Sequence, residues 1–331
     1  RHLHHFIKKR KIMIRTAECI TPKHPDKICD RISDAVLDAC LKQDPNSRVA
    51  VETMGGHGKI FVTGEVTTNA TIDVEDIAQR VYGKQIDVAV NLVKQSNYIA
   101  QGVDTGGAGD QGIMVGYACN ENEELIPQEL FLARQLCKLI YETYPFDGKT
   151  QITLNNGEID TVVASFQNAP SEKLREIIDT WLGTNKKDVT IHCNPAGDWS
   201  LGGFDADAGV TGRKLVVDNY GPRIPIGGGA FSGKDPTKVD RSAAYMARRV
   251  AVDLLKTTRS NEVYVYLSYA IGYNQPVQAT AIIDGEEFVL TEQKNYDLSP
   301  QGIITHLQLT NPVYETSADW GHFGNGFLWD K

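Results

Sequence analysis

The sequence predicts an α/β protein of the α+β type, built from three similar units that are each a mostly antiparallel sheet covered by helices. Three observations predict it. A helix–hairpin–helix pattern occurs three times along the chain, at spacings of roughly a hundred residues, a typical domain size. Alternating strand patterns pair through turn residues rather than through long crossovers. No GxGxxG follows a strand, and the regular strand–helix alternation of a parallel sheet is missing.

The first unit opens with a helix over 25–43. Pro25 suits a first turn, and Ile28, Ile32, Ala35, Val36 and Ala39 share one face. RVAVETM and KIFVTGEVTT follow as a hairpin around GGHG, then a helix in DVEDIAQRVY capped by Asp73. The second unit repeats the order. It has a helix over 127–144, a hairpin around Asn156-Gly157, and a helix over 171–182 with Ser171 as its cap. The third has a helix over 240–258, strands in NEVYVYLSYAIG and VQATAIID, and a short helix in SPQGIITHLQL. The expected domains are 13–101, 110–200 and 202–331. A sheet covered on one face leaves the other to be buried by another unit or another subunit, so an oligomer is expected.

Bulk properties narrow the function. The chain has 331 residues, with 41% hydrophobic and 23% charged, as in an ordinary globular protein. A formal net charge of -8 argues against a nucleic-acid partner. No apolar run is long enough to span a membrane. The opening RHLHHFIKKRK is basic and His-rich and lacks the apolar centre of a secretory signal. Residues 1–12 are therefore expected to be a disordered or expression-derived extension. Six cysteines show no CxxC pair and no zinc spacing, which points to reduced thiols and a cytoplasmic location.

The chemistry concentrates in short segments. GGGAFSGKDPTKVDR (Gly227 to Arg241) contains Gly228, Gly233 and Lys234 in P-loop spacing, but Asp235 stands where Ser or Thr would hold Mg²⁺. It is not a true P-loop, yet its glycines let backbone N–H groups approach phosphate, and Lys234, Lys238 and Arg241 add charge. Asp240 offers a carboxylate to a bridging cation. HPDK places His24, Asp26 and Lys27 at a helix N-terminus, which favours anions. GAGDQG (Gly107 to Gly112) brings a second glycine loop with Asp110. TGRK brings Arg213 and Lys214 just before LVVD, read as an apolar strand. Glu52 and Glu65 interrupt strand patterns, where an acid serves either the solvent face or a cation.

Together HPDK, GAGDQG, TGRK and GGGAFSGKDPTKVDR resemble the S-adenosylmethionine synthetase (methionine adenosyltransferase) family. ISDAVLDACLKQDP, SYAIG and GHFG match as well, from about residue 16 to the C-terminus. The resemblance implies three similar domains in a pseudo-threefold arrangement. It also implies dimers, often paired into tetramers, with active sites shared between subunits. It implies that ATP and L-methionine are joined by sulfur attack on the ribose C5′, and that the displaced tripolyphosphate is hydrolysed to pyrophosphate and phosphate. Two Mg²⁺ per site and K⁺ are the implied ions.

Residue by residue, the resemblance puts His24 by the leaving C5′ oxygen, Asp26 and Asp240 on Mg²⁺, and Glu52 on K⁺. Lys149, Arg213, Lys214, Lys234 and Arg241 face the phosphates, with Lys149 and Asp147 coming from FDGKTQ. His24, Lys149, Arg213 and Lys234 are the implied catalytic set. Lys27, Trp199, Asp207, Ala230 and Ile271 complete the ATP site. Glu65, Gln95, Asp110, Asp207 and Lys238 form the methionine site, Glu65 taking the ammonium and Lys238 the carboxylate.

Two departures stand out. Where bacterial members often read Gly-Arg-Phe, this chain has Gly197, Asp198 and Trp199. Trp199 still offers a ring to adenine, but the arginine is replaced by an acid. The stretch from Gln95 to Gly107, a mobile loop over the site in the family, is shortened, as is the segment before it. Two other classes compete with the synthetase reading. A kinase or NTPase would need Ser or Thr after Lys234. A non-catalytic regulatory subunit would be expected to lose catalytic residues, yet His24, Asp26, Lys234 and Asp240 all stand.

Overall fold

A computed structural model describes residues 13–94, 106–186, 188–290 and 296–331. The expected extension at 1–12, Gln95 and nearly all of the shortened loop lie outside the described residues. The chain runs β1 (Ile14–Ile20), α1 (Pro25–Gln43), β2 (Arg48–Gly56), β3 (Lys59–Thr67), α2 (Val74–Tyr82) and β4 (Asp87–Val93). The order then repeats as β5 (Gly112–Cys119), α3 (Gln128–Thr143), β6 (Gly148–Asn155), β7 (Glu158–Phe166), α4 (Ser171–Leu182) and β8 (Thr190–Cys193). The last part has β9 (Gly209–Val210), α5 (Leu215–Asp218), α6 (Val239–Thr258), β10 (Glu262–Tyr269), β11 (Gln278–Ile283), β12 (Glu286–Val289), α7 (Pro300–His306) and α8 (Tyr314–Ser317).

The architecture is mixed α/β, with three four-stranded sheets rich in antiparallel pairs. Their orders are β4-β3-β2-β9, β1-β6-β7-β8 and β12-β11-β10-β5. Each is built on an antiparallel pair: β2 with β3, β6 with β7, and β10 with β11. The edge strands β4 and β8 join in parallel, each after a helical crossover. Sheet membership crosses the chain order. β1 pairs with β6, β5 pairs with β10, and the two-residue β9 pairs with β2.

Three local expectations are corrected. The repeat has a strand before its first helix and another after its second in the first two passes; β4 and β8 are short, half-exposed edge strands, and β1 and β5 each pair with a strand more than a hundred positions away. LVVD is helical, as α5, because its four apolar-leaning residues complete a turn after TGRK. Ser171 is the first helical residue of α4 rather than its cap. Pro170 holds the cap position, and the carboxylate of Asp198 accepts the Ser171 N–H at 3.0 Å. The acid that replaces the family's arginine thus satisfies a helix end that its own cap residue leaves open.

Helices cover one face of each sheet. One core joins β2, β3, β5 and β10 with α1 and α6, and a second core lies between β6, β7, α3 and α4. The opposite faces carry polar and exposed apolar groups, among them Met54, Phe61, Ile113 and Lys149. No helix among the described residues is long and apolar enough to cross a membrane.

A polar network runs through the larger core. Fully buried His322 bonds through Nδ1 to the Tyr245 hydroxyl at 2.7 Å. Burial, then the charges of Arg241, Lys27 and Arg134, hold its ring neutral, well below the ordinary value of 6.5. The unfolded chain takes up this proton near 6.5 and the folded chain does not. Stability therefore falls as pH drops below 6.5. Urea midpoints at about pH 7.5 and about pH 5 are expected to differ more for the native chain than for His322→Asn. Equal differences would contradict the assignment.

Candidate active site

The site is built on the N-terminus of α1 and on strand β2. His24 precedes α1 with extended backbone, and its Nδ1 accepts the Asp26 N–H at 3.2 Å. Burial, then the charges of Lys214 and Lys149, push the ring down to about 3. The imidazole is neutral at physiological pH. With Nδ1 acting as acceptor, the ring proton sits on Nε2, so His24 is a hydrogen-bond donor there.

Around His24 the structure gathers several of the expected residues. Asp26 pairs with Lys214 Nζ at 2.5 Å and with Arg213 Nε at 3.5 Å. Its other contact, from Val210 N–H at 2.9 Å, ties α1 to β9. The Lys214 hydrogen bond and the Val210 N–H hold the Asp26 carboxyl below the usual range against the opposing effect of burial. Lys149 projects from the uncovered face of β6 and is exposed. Asp147 accepts the Gly203 N–H at 3.0 Å and is raised by burial. Asp207 is exposed and interacts with both His24 and Asp147. Trp199 lies half-buried on the same side, against the Gly202 turn.

A second group lies further along β2. The segment Phe231–Asp235 is zipped onto this strand. Val51 N–H bonds to Gly233 O at 3.0 Å, Asp235 N–H to Val49 O at 3.0 Å, and Val49 N–H to Asp235 Oδ2 at 2.7 Å. Gly233 takes φ +80, and a Cβ there would sit 1.9 Å from Val51 O, so only glycine fits the turn. This presents Lys234 Nζ to Asp240 at 2.7 Å, with Glu52 nearby on the outer face of β2. Glu52 is raised by partial burial and by the like charge of Glu65 across β3. Asp110 is exposed on the loop leading to Gly112, where a Cβ would lie 3.3 Å from Asp240 Oδ1. Exposed Ile271 sits beside the same loop, because Gly272 N–H bonds to Ala108 O at 2.8 Å. Lys238 is held by Asp235, whose carboxylate also anchors Thr237. Asp235 is therefore a buried loop anchor, which accounts for the missing Ser or Thr of a P-loop.

The two groups meet. A Cβ on Gly212 of TGRK would lie 2.7 Å from Ala230 Cβ of the glycine loop. Along β2 their anchor points, Met54 opposite Val210 and Ala50 opposite Lys234, are four residues apart, about 13 Å.

Two expected phosphate ligands do not reach this surface. Lys27 is 1% exposed and paired with Asp30 at 3.0 Å and Asp218 at 2.7 Å. Arg241 is 0% exposed and doubly bonded to Asp34, at 2.6 and 2.9 Å, over the ring of Tyr314. A cation so placed could leave its partner only by stranding a buried carboxylate, a large cost. Asp30 and Asp34 escaped sequence reasoning, although DKICDRISD places them one helical turn apart.

Among the described residues no three His, Cys, Asp or Glu side chains converge as a metal site. Mg²⁺ needs less, because one or two carboxylates suffice when phosphate oxygens and water complete its shell. Asp26 and Asp240 fit that role as hard oxygen donors beside cations. Gly229 leaves room against Asp240, where a Cβ would lie 2.1 Å from its carboxyl carbon. Glu52 is the oxygen donor suited to K⁺.

Comparison with known proteins identifies the family. The family model "S-adenosylmethionine synthetase, N-terminal domain" matches residues 12–97, "central domain" 105–199 and "C-terminal domain" 201–331. The S-adenosylmethionine synthase of Petrotoga mobilis is 40% identical, covering 97% of this chain and 96% of its own length. That of Sulfurovum sp. is 41% identical, covering 96% and 95%, and that of Clostridium tetani is 41% identical, covering 93% of each. The Petrotoga alignment extends over 387 residues against the 331 of this chain, so this chain omits segments its relative carries. On all three domain models and these near-full-length identities, the chain belongs to the S-adenosylmethionine synthetase family.

Proposed function

We propose that this chain, a methionine adenosyltransferase that makes S-adenosylmethionine from ATP and L-methionine, does so by direct attack of the methionine sulfur on ribose C5′, displacing the whole tripolyphosphate. The observation that carries the reading is a neutral histidine at the head of α1 with the cations Lys214, Lys149 and, through Asp26, Arg213 around it. A thioether is a neutral nucleophile and needs no general base. The demand falls on the leaving group, whose negative charge grows as the C5′–O bond breaks. Preorganised donors aimed at that charge lower the barrier, each by about 3–4 kcal/mol.

In this reading His24 donates through Nε2 to the departing C5′ oxygen. Lys149, Arg213, Lys214 and Lys234 hold the polyphosphate and keep it in place for hydrolysis to pyrophosphate and phosphate. Asp147, Asp207, Ala230, Trp199 and Ile271 receive the nucleoside end. Glu65 takes the methionine ammonium and Lys238 its carboxylate, with Asp110 and Gln95 alongside. Asp26 and Asp240 would hold two Mg²⁺ and Glu52 a K⁺. When bound, these ions neutralise phosphate charge and order the chain of oxygens.

The sheets' uncovered faces, with Met54, Phe61 and Ile113 exposed, suit self-association. A dimer or tetramer with shared sites would bring the Lys234 group of one chain to the His24 group of another. The cytoplasm, where ATP and reduced thiols prevail, is the proposed compartment. Incubation with ATP, L-methionine, Mg²⁺ and K⁺ is expected to give S-adenosylmethionine with pyrophosphate and phosphate in equal amounts. ATP consumption without the sulfonium product would overturn the proposal.

A further inference from the structure

Asp26 and Asp240, the two carboxylates suited to Mg²⁺, have the same kind of partner. Asp26 Oδ2 accepts from Lys214 Nζ at 2.5 Å, and Asp240 Oδ2 accepts from Lys234 Nζ at 2.7 Å. The first pair joins positions 188 apart in the chain and the second joins positions 6 apart, so no shared local motif produces both. Each of these lysines is also among the cations assigned to the polyphosphate. The chain has thus built one arrangement twice: an acid suited to the metal, closed by an ammonium suited to the phosphate.

Other cations of the chain are held differently. Lys27 bridges two carboxylates at 1% exposure, and Arg241 is forked onto Asp34 at 0% exposure. Neither can leave without stranding a buried charge. Lys214 and Lys234 keep 16% and 22% of their side chains exposed. Among the described residues each of their ammonium groups makes one hydrogen bond. An ammonium has three donors, so the others remain available to phosphate oxygens. At Gly229 a Cβ would lie 2.1 Å from the Asp240 carboxyl carbon, although the backbone there does not take a positive φ. Glycine is needed at that position because the glycine loop lies directly against the carboxylate.

We propose that Lys214 and Lys234 stand in for Mg²⁺ on Asp26 and Asp240, and pass to the polyphosphate when metal and nucleotide arrive together. The proposal rests on the reading of these two aspartates as Mg²⁺ ligands. An ammonium at contact distance repels a divalent ion from the same carboxylate. Arg213, 3.5 Å from Asp26, adds to that repulsion. Against it a hydrated Mg²⁺ alone gains one carboxylate in each group, in exchange for water that it gives up reluctantly. Polyphosphate reverses the balance, because it offers each lysine a more highly charged acceptor and supplies the remaining oxygens of the metal's shell. Metal and nucleotide then bind each more tightly in the presence of the other, a coupling that is reciprocal. Each exchange lies within one chain's own group of residues, so it operates unchanged where the complete site is shared between two subunits.

Mn²⁺ binding to the full chain without nucleotide, followed by the electron paramagnetic resonance of free Mn²⁺, tests the proposal. Lys234→Met keeps the apolar stem and removes the charge. It is expected to bind Mn²⁺ about tenfold more tightly than the native chain. Adding Asp240→Asn to Lys234→Met is expected to return the affinity to within about twofold of native, because the released carboxylate is gone. Equal affinities for the native chain and Lys234→Met overturn the proposal. A gain that survives Asp240→Asn also overturns it, because it reports a general loss of positive charge rather than the release of one carboxylate. Lys214→Met, alone and with Asp26→Asn, repeats the cycle at the other carboxylate, with the same deciding outcomes if Lys234→Met does not fold. Failure of the native chain to make the sulfonium product would count against the proposed reaction. An unchanged Mn²⁺ affinity in a chain whose native form makes that product counts against the exchange alone.

Discussion

His24→Ala is expected to slow sulfonium formation by about 10²- to 10³-fold while ATP affinity changes little. In the proposed reaction the donor at Nε2 faces charge that exists only as the C5′–O bond breaks, so its loss raises the barrier without weakening the ground state. The neutral state of the ring matters here. A protonated His24 would bind ATP phosphate in the ground state as well, but burial and the neighbouring Lys214 and Lys149 keep it neutral. His24→Asn separates this role from the support His24 gives the start of α1, since Asn caps helices well. Both variants are expected to share the rate defect, and only the alanine variant to lose stability, by about 1 kcal/mol. Single-turnover rates with ATP binding measured by calorimetry decide it; an unchanged rate would refute the donor role.

Lys234→Ala is expected to impair both half-reactions, each by about 10²-fold or more, because both act on the same polyphosphate. The variant also leaves Asp240 without its 2.7 Å partner, which places an uncompensated carboxylate beside the phosphates. The two assays are sulfonium formation from ATP and methionine, and hydrolysis of added inorganic tripolyphosphate. Normal hydrolysis of the latter would contradict a shared site for the two steps.

Much of this was legible in the sequence because glycine and charge leave local marks. The hairpins at Gly56–Lys59 and Asn156–Gly157, the Asp73 cap, and the loops that carry Lys234, Arg213 and His24 all follow from short-range rules. What escaped was long-range. A two-residue strand such as β9, or an opening strand such as β1 that pairs with a partner more than a hundred positions away, has no periodic signature of its own. Burial was equally silent. Lys27 and Arg241 resemble their exposed neighbours in every local respect, and only the fold shows that Asp30, Asp218 and Asp34 claim them. The four-residue spacing of the aspartates on α1 was visible, but an acidic stripe on a helix ordinarily faces water. Its meaning depended on the loops that the rest of the chain lays across it.

The central claim is that the sulfur attacks carbon and that the intact tripolyphosphate leaves before any phosphate bond is broken. Rapid quenching of the enzyme with ATP, L-methionine, Mg²⁺ and K⁺ within the first turnover tests this most directly. S-adenosylmethionine and tripolyphosphate are expected to appear together, with pyrophosphate and phosphate following. Phosphate or ADP appearing before the sulfonium product, as in a kinase or NTPase, would contradict it.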